Sequence, residues 1–400
     1  MYSANWSKIL ALQYSLCRHS LLRVTDNYGI CCLFDKNTSC TAPFSPFNTC
    51  KAMFPNNTLR VVLWVVCISS VVANFAVFIS RLKHEIPVMR KLFTSTVSTN
   101  QNTFLLNLAV ADFAMGLYLL AIGLADIIFG NEFFLFALGW RKGIPCKIFG
   151  FIVFLSNVVS LLILTLVSIE RFFAIVFPFG NIRLGPNLTV KICLMIWVVG
   201  GIMALTSIIL SEYVQQAFGF SDICLGLPFV PVPELLGDDV LVESGQYGYI
   251  DNINVNNNFK GLQWVYSQLI YIYFSSACVL VITLCYVCIF VSTIVVKNQS
   301  GRGHVDKSEI KLALRLSIII GTDMICWLPV IITGILSAVG TDISVDMYVW
   351  LTVLVMPVNS ALNPFIYTVP TIKKKKNNEP SFIGEQRNLE KEKKGKRQNR

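Results

Sequence analysis

The chain has 400 residues, 54% of them hydrophobic and 14% charged, with a formal net charge of +10. An ordinary soluble domain carries about 25% charged residues, so this composition excludes a typical soluble globular protein. Nor does the positive balance point to nucleic acid, because residues 371–400 alone hold eleven Lys or Arg against four Glu and make up most of the excess.

A hydrocarbon core of about 30 Å takes about 20 apolar helical residues to cross. Backbone groups in lipid must be satisfied within the segment, so helices are the expected spanning elements. Seven stretches meet that length: Leu59–Ser80, Thr103–Phe129, Ile148–Phe177, Val190–Leu210, Leu262–Val296, Ile310–Val339 and Met347–Val369. Val61–Ser80, Ile192–Ser211, Leu262–Val296 and Met347–Val369 contain no Asp, Glu, Lys or Arg. A soluble helix would carry a charged face there. The fold class is therefore an all-α membrane protein, a seven-transmembrane helix bundle. Residues 1–58 form a Cys-containing extracellular segment, 59–370 the bundle and 371–400 a basic cytoplasmic tail.

Loop charge sets the orientation. Arg81–Lys91, Arg183–Lys191, Lys297–Lys311 and the stretch from Lys373 onward are basic, whereas Glu234–Lys260 carries five acids and one Lys. The positive-inside rule then puts the amino terminus outside and the carboxyl terminus in the cytosol. Glycosylation sequons begin at Asn5, Asn37 and Asn56 on the outer side; matches at Asn187 and Asn298 lie inside and are read as chance. No convincing signal peptide precedes the first span, so either that span is the insertion signal or the chain lacks its true beginning. Lys373–Lys376 directly after the last span suit anionic lipid, and equally suit a stop signal.

Of thirteen Cys, six lie in apolar helices and read as packed thiols. Seven face the oxidising side. Among these, Cys146 and Cys224 can form one bridge, and five remain at Cys17, Cys31, Cys32, Cys40 and Cys50 with connectivity open.

Asn74, Asn107-Leu108-Ala109-Val110-Ala111-Asp112, the 25-residue spacing from Cys146 to Arg171, Glu170-Arg171-Phe172, Trp197, Tyr286, Cys326-Trp327-Leu328-Pro329 and Asn363-Pro364-Phe365-Ile366-Tyr367 occur in order along the chain. Together they resemble the rhodopsin-like (class A) G-protein-coupled receptors. Within that class, residues 111–120, Thr322-Asp323-Met324-Ile325-Cys326-Trp327 and residues 357–364 are similar to the leucine-rich-repeat hormone receptors, above all the relaxin receptor type and its invertebrate relatives. The resemblance makes residues 1–58 a hinge remnant, although no leucine-rich repeat of the expected period occurs there. Other departures are Ala73 before Asn74, a fifth span without proline, an outer-loop insertion at about 229–261 and a long first inner loop, Arg81–Gln101.

A carboxylate inside a bilayer is costly and is kept where it is paired or watered, which marks Asp112 as functional. The resemblance implies a water pocket able to hold allosteric sodium, with Asn74, Ser160, Asn359 and Asn363 beside Asp112; a hydrogen-bond hub without an ion is the alternative. Asp323 stands four residues before Trp327 and six before Pro329, which kinks the sixth helix. Facing the bundle, it would bond Asn359 or Asn363, or serve only as a satisfied packing polar. Arg171 with Glu170, and Glu309 on the sixth helix, would form an ionic restraint at the cytoplasmic face; an interfacial snorkelling Arg is the bland alternative. Pro364 weakens the seventh helix so that the Tyr367 hydroxyl can swing towards Tyr286, unless both tyrosines are interface aromatics.

No enzyme is expected. His19, His84 and His304 all lie outside the spans, so no metal or nucleophile constellation assembles. The expectation is a plasma-membrane receptor that passes an extracellular peptide or protein hormone signal to heterotrimeric G proteins, through cyclic AMP. The alternative is an ectodomain-less receptor that signals constitutively or acts as a partner. A secondary transporter would show internal repeats, and none is visible.

Overall fold

The computed structural model describes residues 22–23, 40–41, 52–54, 56–88, 96–177, 184–214, 222–225, 265–298, 307–339, 341, 347 and 350–365. The expectations for Asn5, Asn37, the insertion at 229–261, Tyr367 and the tail lie outside these residues. Apart from a parallel ladder of Leu22–Arg23 with Cys40–Thr41, the described chain is helix and short turns.

The first four spans are Asn57–Val88, Thr96–Phe129, Ile144–Val176 and Pro186–Val214. The fifth crosses as Val265–Ile294 and continues helically to Asn298. The sixth is Lys307–Ala338, and residues 351–365 belong to the seventh. Among the described residues, five of these helices are long and apolar enough to cross a membrane by length and composition.

The first, second, fourth and sixth helices overrun one or both ends of their apolar stretches, because the intrahelical ladder continues in water where polar side chains are solvated. The expected long inner loop Arg81–Gln101 is corrected accordingly, since the first span runs to Val88 and the second begins at Thr96. Between the second and third spans lies a further helix, Phe133–Lys142. It starts after a 3-10 turn at Gly130, whose φ of +53° suits a residue without a Cβ. Pro145 opens the third span, where its missing N–H costs nothing.

The second and third spans form the centre of the bundle. Their side chains pack with those of the first and fourth spans around Leu63, Leu108, Met115, Leu119, Val159 and Ile163. The first and second spans approach closely through Gly116: a Cβ there would stand 2.8 Å from Val71 Cγ2 and 3.0 Å from the Val71 backbone nitrogen. Small residues serve helix contacts in membranes in this way, since close packing rather than hydrophobicity joins the helices.

The fifth span has no proline, yet it is distorted by a π-turn at Leu269–Phe274. Ser275 Oγ donates to the Ile270 carbonyl at 2.9 Å and occupies an acceptor near that turn. Gly334 on the sixth span leaves room for the bulge, because a Cβ there would meet Ile272 Cγ1 at 2.8 Å. In the sixth span Pro329 lies inside the helix, and Thr333 Oγ1 donates to its carbonyl at 2.7 Å.

Candidate signalling site

Asp112 is fully buried at the centre of the second span. Asn363 Nδ2 donates to its Oδ2 at 2.8 Å, tying the second span to the seventh across 251 residues of sequence. Ser70 Oγ donates to the Asp112 carbonyl at 2.8 Å, and Ser156 Oγ to that of Ala111 at 2.7 Å, so the first and third spans hold the backbone on either side. The Ser160 and Ser360 side chains lie close to the same carboxylate.

Asn74 bonds through its amide. Its Nδ2 donates to the Ser70 carbonyl at 2.9 Å and to the Ser360 carbonyl at 2.8 Å, pinning the first span to the seventh. Around this tie, buried oxygens with no hydrogen-bond partner among the described residues are Asp112 Oδ1, Ser160 Oγ, Asn359 Oδ1 and Asn363 Oδ1. A cavity of about 10 Å³, room for roughly one water, is lined by Ser160, Asn359, Ser360 and Trp327. Oxygen atoms such as these, one of them on a carboxylate, are the donor type that suits a hard cation.

Trp327 is buried two residues before Pro329, about 3 Å along the helix, and lines that cavity and a second, apolar one under the fifth-span π-turn, with Ile270 and Phe274. Asp323 and Glu309 have their backbone on the sixth span, but their side chains lie outside the described atoms. Pro364 is buried in the seventh span beside Asn363.

At the end of the third span Arg171 is only 1% exposed, the largest side chain among those fully buried. Its Nε stands 2.7 Å from Glu170 Oε2. Such a pair is stable in a low-dielectric site only when both charges stay together, since breaking it strands a buried charge. Nearby, Tyr286 of the fifth span packs with Phe172, Ile175 and Ile289, and its hydroxyl is buried with no hydrogen-bond partner among the described residues. Further along, Trp197 Nε1 donates to Asn107 Oδ1 at 2.9 Å, joining the fourth and second spans.

The opposite end of the bundle holds the Cys146–Cys224 disulfide. The segment that carries Cys224 is fixed three more times. Arg141 lies 2.6 Å from Asp222 Oδ1, Trp140 Nε1 donates to the Asp222 carbonyl at 2.9 Å, and the Tyr118 hydroxyl donates to the Ile223 carbonyl at 2.7 Å. Burial pushes the Asp222 carboxyl above its ordinary value, and the Arg141 guanidinium pulls it back. On the same side, Asp126 Oδ2 accepts from Arg60 Nε at 2.7 Å, and its Oδ1 accepts from the Phe54 backbone N–H at 3.1 Å. Asn56, expected as a glycan acceptor, is exposed and caps the first span by accepting from Thr58 N–H at 2.8 Å.

Asp126, Arg141 and Asp222 were not singled out from sequence. Asp126 is one turn from the end of its span and reads as an interface residue, while Arg141 and Asp222 sit in segments that read as loops. The one available signal was the presence of a carboxylate inside an otherwise apolar run.

A seven-helix bundle with a buried Asp-Asn tie at its centre and a buried Arg-Glu pair at one end defines a class of receptor. Residues 88–227 and 250–367 match the family of seven-transmembrane receptors of the rhodopsin type, and the chain belongs to that family. The family is one of receptors, not enzymes. The chain is 28% identical over 349 residues to the G-protein coupled receptor GRL101 of Lymnaea stagnalis, covering 87% of this chain and 28% of that one. It is 30% identical over 326 residues to relaxin receptor 2 of Canis lupus familiaris, covering 80% and 38%. A probable glycoprotein hormone G-protein coupled receptor of Anthopleura elegantissima is 28% identical over 333 residues, covering 82% and 31%. The chain thus spans well under half the length of these relatives.

Proposed function

We propose that this receptor takes an extracellular peptide or protein hormone signal to a heterotrimeric G protein at the plasma membrane, through cyclic AMP. The disulfide end faces outside, consistent with the oxidising side of the membrane, and the arginine end faces the cytosol. The relatives named as relaxin and glycoprotein hormone receptors support the ligand class.

The observation that carries the reading is the burial of Arg171 against Glu170. A basic side chain 1% exposed at the end of a span is withheld from a partner, so this arrangement is the closed state. Opening requires the sixth helix to pivot at Pro329, which frees the arginine for the G protein. The ligand drives this only through its greater affinity for the open state.

The central network sets the resistance to that pivot. Asp112 with Asn363 holds the second and seventh spans together, and Trp327, two residues before Pro329, lines the small cavity near this tie. Asp112 Oδ1, Ser160 Oγ, Asn359 Oδ1 and Asn363 Oδ1 would hold a sodium ion, whose charge would balance the carboxylate.

Reporter signalling in transfected cells tests the reading. A basal cyclic-nucleotide response abolished by Arg171→Ala, with surface level unchanged, is expected. Solute flux without any nucleotide response would overturn it.

A further inference from the structure

We propose that the second span is the receptor's input line: Asp126 and Tyr118 grip the two outer segments, residues 52–54 and 222–225, and transmit their displacement to Asp112 on the same helix. This rests on the G-protein switch described above.

The grips are specific in kind. Phe54 and Met53 precede the first span, are 1% and 5% exposed, and are seated against the bundle. Asp126 Oδ1 accepts the Phe54 main-chain N–H at 3.1 Å, and Arg60 Nη2 reaches the same oxygen at 3.2 Å. Arg60 Nε takes Oδ2 at 2.7 Å. The ion pair alone would staple the first span to the second. Binding a backbone N–H as well fixes the position of a non-helical segment that leads in from outside.

Eight residues earlier on the same helix, the Tyr118 hydroxyl donates to the Ile223 carbonyl at 2.7 Å. That loop segment is buried throughout, from Asp222 at 5% exposed to Leu225 at 3%, and is tied to the third span by Cys224. Both outer segments therefore report onto one helix. Asp126 lies 14 residues beyond Asp112, about 21 Å at 1.5 Å per residue, so a rigid helix joins the grips to the Asp112–Asn363 tie. Asp126 takes no part in the central network and touches neither Arg171 nor Asn363. Because the grips occur in the arrangement that buries Arg171, they restrain the closed state, and releasing them favours the open one.

The test uses the full chain in cell membranes, with basal guanine-nucleotide exchange on added G protein measured per receptor at the surface. Asp126→Asn keeps an oxygen for the Phe54 N–H but gives up the charge that holds Arg60, so its exchange should rise less than in a charge swap at the same two positions; a rise as large as the swap's would assign the effect to the ion pair and overturn the proposal. The charge swap Arg60→Asp with Asp126→Arg restores the ion pair but offers that N–H no acceptor, and should raise basal exchange about tenfold. Parental exchange in the swap at normal surface level would reduce Asp126 to an ion-pair staple and overturn the proposal. If the swap does not reach the surface, Tyr118→Phe decides, since it removes only the hydroxyl: a several-fold rise supports the input line and parental exchange overturns it. Arg171→Ala run in parallel separates the two claims, because unchanged exchange there defeats the G-protein reading itself.

Discussion

Replacing Asn363 by Ala removes the side-chain donor that crosses from the seventh span to Asp112 Oδ2 at 2.8 Å, a bond between two residues that are both 0% exposed. Hydrogen bonds between helices in membranes average about 0.6 kcal/mol and reach about 1.7, while bonds to charged groups in proteins run to about 1.5–3 kcal/mol. The upper part of the membrane range applies here, because Asp112 Oδ1 already lacks a hydrogen-bond partner among the described residues and the truncation leaves Oδ2 without this donor too. A loss of about 1.5 kcal/mol corresponds to roughly a tenfold shift in a two-state ratio. The Asn363→Ala receptor in nanodiscs should show basal nucleotide exchange changed about tenfold and a melting temperature lower by a few degrees. Asn74→Ala provides the comparison: it removes the donor to the Ser360 carbonyl but leaves the carboxylate's own bond in place, and should lower stability while shifting exchange less. Exchange within twofold of the parent for Asn363→Ala, together with an unchanged melting temperature, would show that the tie carries no switching energy.

Gly116→Val should destabilise the bundle by about 1–3 kcal/mol through overpacking, because its Cβ would meet the Val71 backbone nitrogen at 3.0 Å and backbone cannot move aside cheaply; thermal unfolding in detergent reads this directly. Arg141→Ala strands Asp222, whose folded-state carboxyl is already raised by burial and would lose the guanidinium that pulls it down. A carboxyl raised on folding weakens the fold as pH climbs from its unfolded towards its folded value and relieves that penalty on acidification. Hydrogen exchange over residues 222–225 of the Arg141→Ala receptor should therefore be slower, once corrected for intrinsic rates, at pH 5 than at pH 7, with a smaller difference in the parent.

The bundle was legible in the sequence because lipid enforces a composition: runs such as Leu262–Val296 without a single charge have few other uses. Helix ends were less legible. Arg81–Val88 and Thr96–Asn102 are helical although polar, since nothing in water forbids an established helix from continuing. The fifth-span π-turn left no mark, as proline is the usual signal and Ser275 is an ordinary polar residue in an apolar run. Within the site, the side chains with chemistry were readable from type and spacing, but their partners were not. Asn363 could have faced Asp323 as well as Asp112, and only the packing of the seventh span on the second puts its amide 2.8 Å from the Asp112 carboxylate. Ser70 and Ser156 escaped notice because their partners are main-chain carbonyls, which carry no sequence signature.

In the proposed function, the burial of Arg171 against Glu170 marks a closed state that opens by a pivot of the sixth helix at Pro329. Spin labels on keto-bearing residues placed at Ser98 and Ala313, chemically orthogonal to the native thiols, measure that pivot as a distance between the cytosolic ends of the second and sixth helices. Addition of nucleotide-free G protein should lengthen the distance by several ångströms, and the response should disappear in Arg171→Ala; a distance unmoved by G protein in the parent receptor would rule out the pivot.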